Sequence, residues 1–154
     1  PVASWPTNGG NLSNQRYSPL TAIDRGNVAQ LRGVWRARLR GSATAPQYSG
    51  FAAPLVHDGV AYVSTGANDV FALSIDSGEI LWQYAANLDP DITSVCCGWN
   101  NKGVAIGEGA VCRGQRGGRL VARDRATGTP RARIPRSVRG VPRNGVIVNT
   151  ATAR

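Results

Sequence analysis

The feature that most restricts this chain is an internal repeat. Sliding the sequence against itself by 50 residues aligns Asp58-Gly59-Val60-Ala61 with Glu108-Gly109-Ala110-Val111 without a gap, Val70-Phe71-Ala72-Leu73 with Leu120-Val121-Ala122-Arg123, and Ser77-Gly78 with Thr127-Gly128. A repeat near that length marks units that cannot bury an apolar face alone, so the chain must stack them or arrange them around a ring. Each unit is built of strands. In the first, Ala53-Pro54-Leu55-Val56 leads to a hairpin turn at Asp58-Gly59, and Val60 to Thr65 follows as a second strand. The Gly66-Ala67-Asn68-Asp69 loop, the strand Val70 to Leu73, the turn Asp76-Ser77-Gly78 and the strand Glu79 to Tyr84 complete it. Four short antiparallel strands closed by a Trp make one propeller blade. The expected fold is all-β, a partial β-propeller of about two four-stranded blades.

Trp82 ends the last strand of the first unit, where a large flat ring can wedge between neighbouring blades while its N–H finds a backbone acceptor. Trp35, 47 residues earlier, ends a predicted strand Leu31-Arg32-Gly33-Val34-Trp35 and holds the equivalent place. A short helix over Asn27 to Leu31, capped by Asp24, leads into that strand. The second unit departs from the first as it proceeds: Arg113 stands for Val63, Arg123 for Leu73 and Ala132 for Trp82. An arginine pointing inward leaves a desolvated charge unless it is paired. The expected organisation is an opening segment 1–47, a full blade 48–98, a degenerate blade 99–129 and a basic irregular tail 130–154, read as frayed or translated out of frame.

The charge follows that division. Residues 1–109 hold 7 Lys/Arg and 8 Asp/Glu, whereas residues 110–154 hold 11 Arg and only Asp124, so the whole net charge of +9 belongs to the second stretch. A basic tail can bind phosphate through counterion release, but no Phe, Trp or Tyr follows Trp99 to stack on bases. Nucleic-acid binding is therefore disfavoured. No apolar run approaches the ~20 residues of a membrane span, and the chain opens at Pro1 without a secretory signal, as a processed or incomplete sequence would. Of the three cysteines, Cys96 and Cys97 are neighbours. They close a strained ring in an oxidising compartment or remain a pair of thiols. Cys112 lies at a strand position and is expected to be an unpaired, buried residue.

These motifs resemble the quinoprotein alcohol dehydrogenases that use pyrroloquinoline quinone (PQQ), of the methanol and ethanol dehydrogenase type. The similarity runs through Trp5-Pro6-Thr7-Asn8-Gly9-Gly10-Asn11, Arg16-Tyr17-Ser18-Pro19-Leu20, Tyr48-Ser49-Gly50-Phe51-Ala52-Ala53-Pro54-Leu55-Val56, the blade-closing Leu81-Trp82, and Cys96-Cys97 through Gly103-Val104-Ala105. The Cys-Cys segment is the most specific of them. The resemblance implies an eight-bladed, periplasmic propeller with the quinone near its axis, a vicinal disulfide between Cys96 and Cys97 against one face of the ring, and Lys102 where the family carries an Arg that reaches the quinone oxygens. Lys keeps the cation and loses the planar fork. Phe51 stands where the family usually has a Glu that contacts a cofactor carboxyl group. Binding is weakened there, unless the strand shifts and Ser49 takes over. Asn101 is read as a turn residue, and His57 as a turn histidine without a partner.

The implied reaction is oxidation of a primary alcohol to an aldehyde by hydride transfer to the quinone, with Ca²⁺ or a lanthanide polarising the site and a cytochrome c-type acceptor taking the electrons. The family's metal ligands and catalytic base come from later blades, and nothing in this chain matches them. The expected reading is an N-terminal fragment incompetent alone. A non-catalytic propeller-repeat scaffold is the competing class, and it lacks a Cys-Cys segment.

Overall fold

The computed structural model of the chain describes residues 4–42, 48–89, 91, 99–115 and 118–134. Ten strands follow a single turn of 3-10 helix, Val28–Gln30. β1 is Tyr48–Gly50, β2 Leu55–His57, β3 Val60–Ser64, β4 Val70–Ser74, β5 Ile80–Tyr84, β6 Trp99–Asn101, β7 Ala105–Gly107, β8 Ala110–Gln115, β9 Arg119–Asp124 and β10 Pro130–Ile134. They form two four-stranded antiparallel sheets, β2-β3-β4-β5 and β7-β8-β9-β10, and a parallel pair of β1 with β6.

The repeat holds residue by residue. Val63 pairs with Phe71 as Arg113 pairs with Val121, and Ala72 faces Trp82 as Ala122 faces Ala132. The register shift between Ala72 and Leu73 also has its counterpart, between Pro130 and Ala132 on β10. Both hairpins turn on a non-Gly residue followed by Gly, each with positive φ: Asp58 (49°) and Gly59 (72°), Glu108 (48°) and Gly109 (68°). Those dihedrals suit the right-handed twist of paired strands. The irregular tail expected from residue 130 instead begins with strand β10. Its Arg-rich, Pro-initiated sequence pairs along β9, with Ala132 opposite Ala122 and Ile134 opposite Leu120.

The core lies between the sheets. Leu55, Tyr62, Val70, Ala72 and Trp82 of the first pack on Val111 of the second, with Val104 and Ile106 at the margin. Trp82 is the wedge. Its Nε1–H donates to the Arg125 carbonyl at 3.0 Å, and the Tyr62 hydroxyl donates to the same oxygen at 3.3 Å. The indole covers Gly128, where an added Cβ would come within 2.7 Å of the ring. Trp35 repeats this contact one unit earlier, donating to the Ile75 carbonyl at 2.6 Å above Gly78. Among the described residues the strand expected to carry Trp35 is not formed: residues 31–40 pair with none of the described strands. The helix before it is shorter than expected and Asp24 does not cap it: Asn27 holds the N-cap position without a side-chain cap, and the Asp24 carboxylate accepts from the Gly26 and Asn27 amides in the turn before. Trp5 tethers the opening segment to β2 through two backbone hydrogen bonds with Val56, of 2.7 and 2.9 Å.

Candidate functional site

The parallel pair β1 and β6 creates the site. Its register sets Tyr48 against Trp99, Ser49 against Asn100 and Gly50 against Asn101. One step further along both strands lie Phe51 and Lys102. Another step on, a Cβ placed on Gly103 would stand 3.5 Å from the Ala52 Cβ, ordinary contact, so the two chains run on side by side. Two residues chosen from sequence, Phe51 and Lys102, thus follow β1 and β6 at the same end of the pair. Both are exposed, Phe51 at 70 %. With Trp5, Arg16 and Pro54, Phe51 lines an open hollow of about 630 Å³. Cys96 and Cys97 lie outside the described residues. Cys112 is a free, half-buried thiol.

Behind Lys102 stands a buried polar network that the sequence did not disclose. Asn101, expected as a turn residue, is the last residue of β6 and only 9 % exposed. Its Oδ1 accepts from the Gly103 amide at 2.7 Å and from the Ser64 hydroxyl at 3.1 Å, and its Nδ2 donates to Asn68 Oδ1 at 3.1 Å. Asn68 sits in the β3–β4 loop with φ +71°, a left-handed conformation that Asn tolerates better than most residues. Arg113, 5 % exposed, donates from Nη2 to Asn68 Oδ1 at 2.8 Å and from Nη1 to the Asn68 carbonyl at 2.5 Å. Burial pushes its guanidinium down to about 10, only partly opposed by Tyr84 and Asp69. The inward arginine is therefore held by neutral oxygens of the preceding blade, and its Nε has no hydrogen-bond partner among the described residues. Next to it, Asp69 is buried too. Its carboxylate accepts from the Ser42 amide and hydroxyl and from the Ala86 amide.

Two other expectations change. His57 is not alone: its Nδ1 lies 2.9 Å from Asp58 Oδ2, and the Arg125 guanidinium of the second blade approaches the ring nitrogens at 2.9 Å and Asp58 at 3.0 Å. The group is a clasp across the blades, which explains a histidine at a hairpin turn. Arg123 lies over the Tyr84 ring, 4.0 Å from its centroid, a cation–π contact that replaces the apolar packing of Leu73. The signal that could have revealed the network is a loop, Asn68-Asp69, that is polar yet directly precedes the most apolar strand of the chain.

Chemically, the residues that follow the paired strands are an exposed aromatic, Phe51, and an exposed cation, Lys102. That donor set suits a flat anionic group, one face against Phe51 and an oxygen near Lys102. Among the described residues no three His, Cys, Asp or Glu side chains converge as a metal site would require, and none of their helices is long and apolar enough to cross a membrane.

Known proteins share this fold. The profile of the PQQ family, described as glucose/ethanol/alcohol dehydrogenase, beta-propeller domain, matches residues 5–137. A quinoprotein alcohol dehydrogenase of Pseudomonas putida is 40 % identical over 122 residues, 79 % of this chain and 20 % of the relative. The cytochrome c-linked 1-butanol dehydrogenase of Thauera butanivorans is 40 % identical over 129 residues, 80 % of this chain and 17 % of the relative. Among solved structures, the quinohemoprotein alcohol dehydrogenase of Comamonas testosteroni superposes with a TM-score of 0.72 at 33 % identity, over 86 % of this chain and 19 % of that one. A europium-containing methanol dehydrogenase gives 0.76 at 27 % identity, over 88 % and 23 %. The chain spans about a fifth of the length of these relatives. Its two sheets, its repeat and its profile match place it in the PQQ-dependent glucose/ethanol/alcohol dehydrogenase family, within the β-propeller domain.

Proposed function

We propose that this chain supplies two blades, and part of the cofactor floor, to a periplasmic PQQ-dependent dehydrogenase that oxidises a primary alcohol to an aldehyde. The observation that supports the reading is the parallel register of β1 with β6, which sets Gly50 against Asn101, the residues directly before Phe51 and Lys102. When bound, PQQ supplies the two-electron acceptor for the hydride leaving the alcohol carbon. The chain's own contribution is to hold. Lys102 sets a cation against an electron-rich oxygen, Phe51 gives apolar area without a hydrogen bond, and Cys96-Cys97, joined as a vicinal disulfide, would cover one ring face. Ca²⁺ or a lanthanide, the base that accepts the alcohol proton, and the surface that passes electrons to a cytochrome c-type acceptor belong to blades beyond these two. On that reading the chain alone is incompetent.

A titration with PQQ, followed by turnover of short alcohols with a dye acceptor in the presence of Ca²⁺, tests both parts. Binding that is lost on Cys97→Ser, with no turnover, is expected. Sustained turnover would refute incompetence, and failure of the unmodified chain to bind PQQ would sink the cofactor reading in favour of a scaffold.

A further inference from the structure

We infer that Asn101 is a positioning residue, locked by Asn68 and Arg113 from both blades, that aims Lys102 toward the quinone. The inference rests on the cofactor reading above and adds the part that holds the cation in place. A lysine on a four-carbon stem at an exposed strand end has wide rotational freedom, so a useful cation needs a fixed backbone on either side. Asn101 provides it. Its Oδ1 takes the Gly103 amide, closing a short ring around the Lys102 peptide, and Gly103 sits at φ +112°, a conformation that glycine adopts freely. The amide is then held from behind by Ser64 and Asn68 of the first blade.

Arg113 completes the lock. It comes from β8 of the second blade, yet among the described residues its hydrogen bonds go to the Asn68–Asp69 loop of the first, so the oxygen that orients Asn101 is itself clamped across the blades. In the first blade the equivalent position is Val63, which cannot do this. A desolvated arginine is costly to keep. Its place here follows if it fixes the loop that fixes Asn101. The chain of contacts runs Arg113 to Asn68 to Asn101 to the Lys102 peptide, every member but Lys102 buried.

Two measurements on the 154-residue chain test this. The first is independent of any cofactor: amide hydrogen exchange at Gly103, read by NMR. Asn101→Ala, and Asn68→Gly, which removes the side-chain amide while allowing the same positive φ, should each speed Gly103 exchange about tenfold or more while leaving the β4 amides protected. Unchanged Gly103 exchange in both variants overturns the inference. The second is PQQ affinity, read by quenching of tryptophan fluorescence. Lys102→Ala and Asn101→Ala should each weaken binding about five- to tenfold, and the double variant should be little worse than Lys102→Ala alone, because Asn101 acts through the lysine. Losses that multiply in full would show that Asn101 acts on the fold or the cofactor directly, and would overturn the inference. Should the unmodified chain fail to bind PQQ while its Gly103 amide stays protected, the cofactor reading falls and the Asn101 brace remains as structure.

Discussion

The two blades share one frame and fill it differently. The first closes on Leu55, Tyr62, Val70, Phe71, Ala72 and Leu73, all buried, whereas in the second only Ala110, Val111 and Val121 are buried apolar residues among those described. Where the first blade has Val63 and Leu73, the second has Arg113 and Arg123, and it uses both: one hydrogen-bonded to carbonyl and amide oxygens, the other stacked on Tyr84. Backbone register, hairpin dihedrals and bulge are the same in both. A blade is thus specified by turns and pairing, and the filling can change from apolar to charged as long as a neighbouring blade supplies partners. Stability of the second blade should accordingly depend on the first more than the reverse.

The sharpest way to break that comparison is at the two tryptophans. Trp82 is 8 % exposed and joins the blades, while Trp35 is 40 % exposed and bears on the first blade alone. Trp82→Ala should cost about 3–5 kcal/mol, and Trp35→Ala about 1–2 kcal/mol, each read from denaturant midpoints. Equal losses would mean that burial between blades is not what holds the second one.

Arg113→Val, which gives the second blade the residue of the first, should destabilise by about 1–2 kcal/mol at pH 7, because the Asn68 carbonyl loses its donor while staying buried. The pH dependence has a definite sign. The folded guanidinium lies at about 10, below its ordinary value, so the cost of burying the charge is present in full well below pH 10. As pH rises through 10 the native chain sheds that proton first and gains stability. The advantage of the unmodified chain over Arg113→Val should widen by about 1 kcal/mol between pH 8 and pH 10.5. A constant gap would show the guanidinium is not desolvated.

The smallest difference concerns one turn. Ser74 Oγ accepts from the Ser77 amide in the first blade; in the second, Asp124 Oδ1 accepts from the Ala126 and Thr127 amides and the Thr127 hydroxyl. Those Thr127 bonds hold the Asp124 carboxyl below its ordinary value, so their stabilisation is present above pH 4 and lost as pH falls through the lowered folded value. Asp124→Ser should flatten the acid limb of the stability curve between pH 4 and pH 2. An identical limb in both proteins would remove Asp124 from the account.

Much of the frame is legible in the sequence because it depends on local rules. Asp58-Gly59 and Glu108-Gly109 announce hairpins, and Trp35 and Trp82 announce wedges, whereas Phe51 and Lys102 are legible only through the family resemblance, since the 50-residue offset matches Phe51 with Asn101. What the sequence hides lies in contacts between distant residues. Asn101 looks like a turn residue until Ser64 and Asn68, more than thirty positions away, are found beside it, and His57 looks solitary until Arg125 arrives from the other blade. β10 is hidden for another reason: its Pro and two arginines mask the alternation of Pro130, Ala132 and Ile134, and pairing to β9 makes it a strand.

The tryptophan contacts also give the repeat a direction. Each indole reaches forward: Trp35 to the Ile75 carbonyl and Gly78, Trp82 to the Arg125 carbonyl and Gly128. During synthesis, then, every wedge emerges before the socket that receives it, and a finished blade waits with an uncovered indole until its successor folds. The second blade has the socket but carries Ala132 where the next wedge would stand. Docking by this device is passed on once within these two blades and not relayed, so whatever packs against the far side of the second blade must be held by other means.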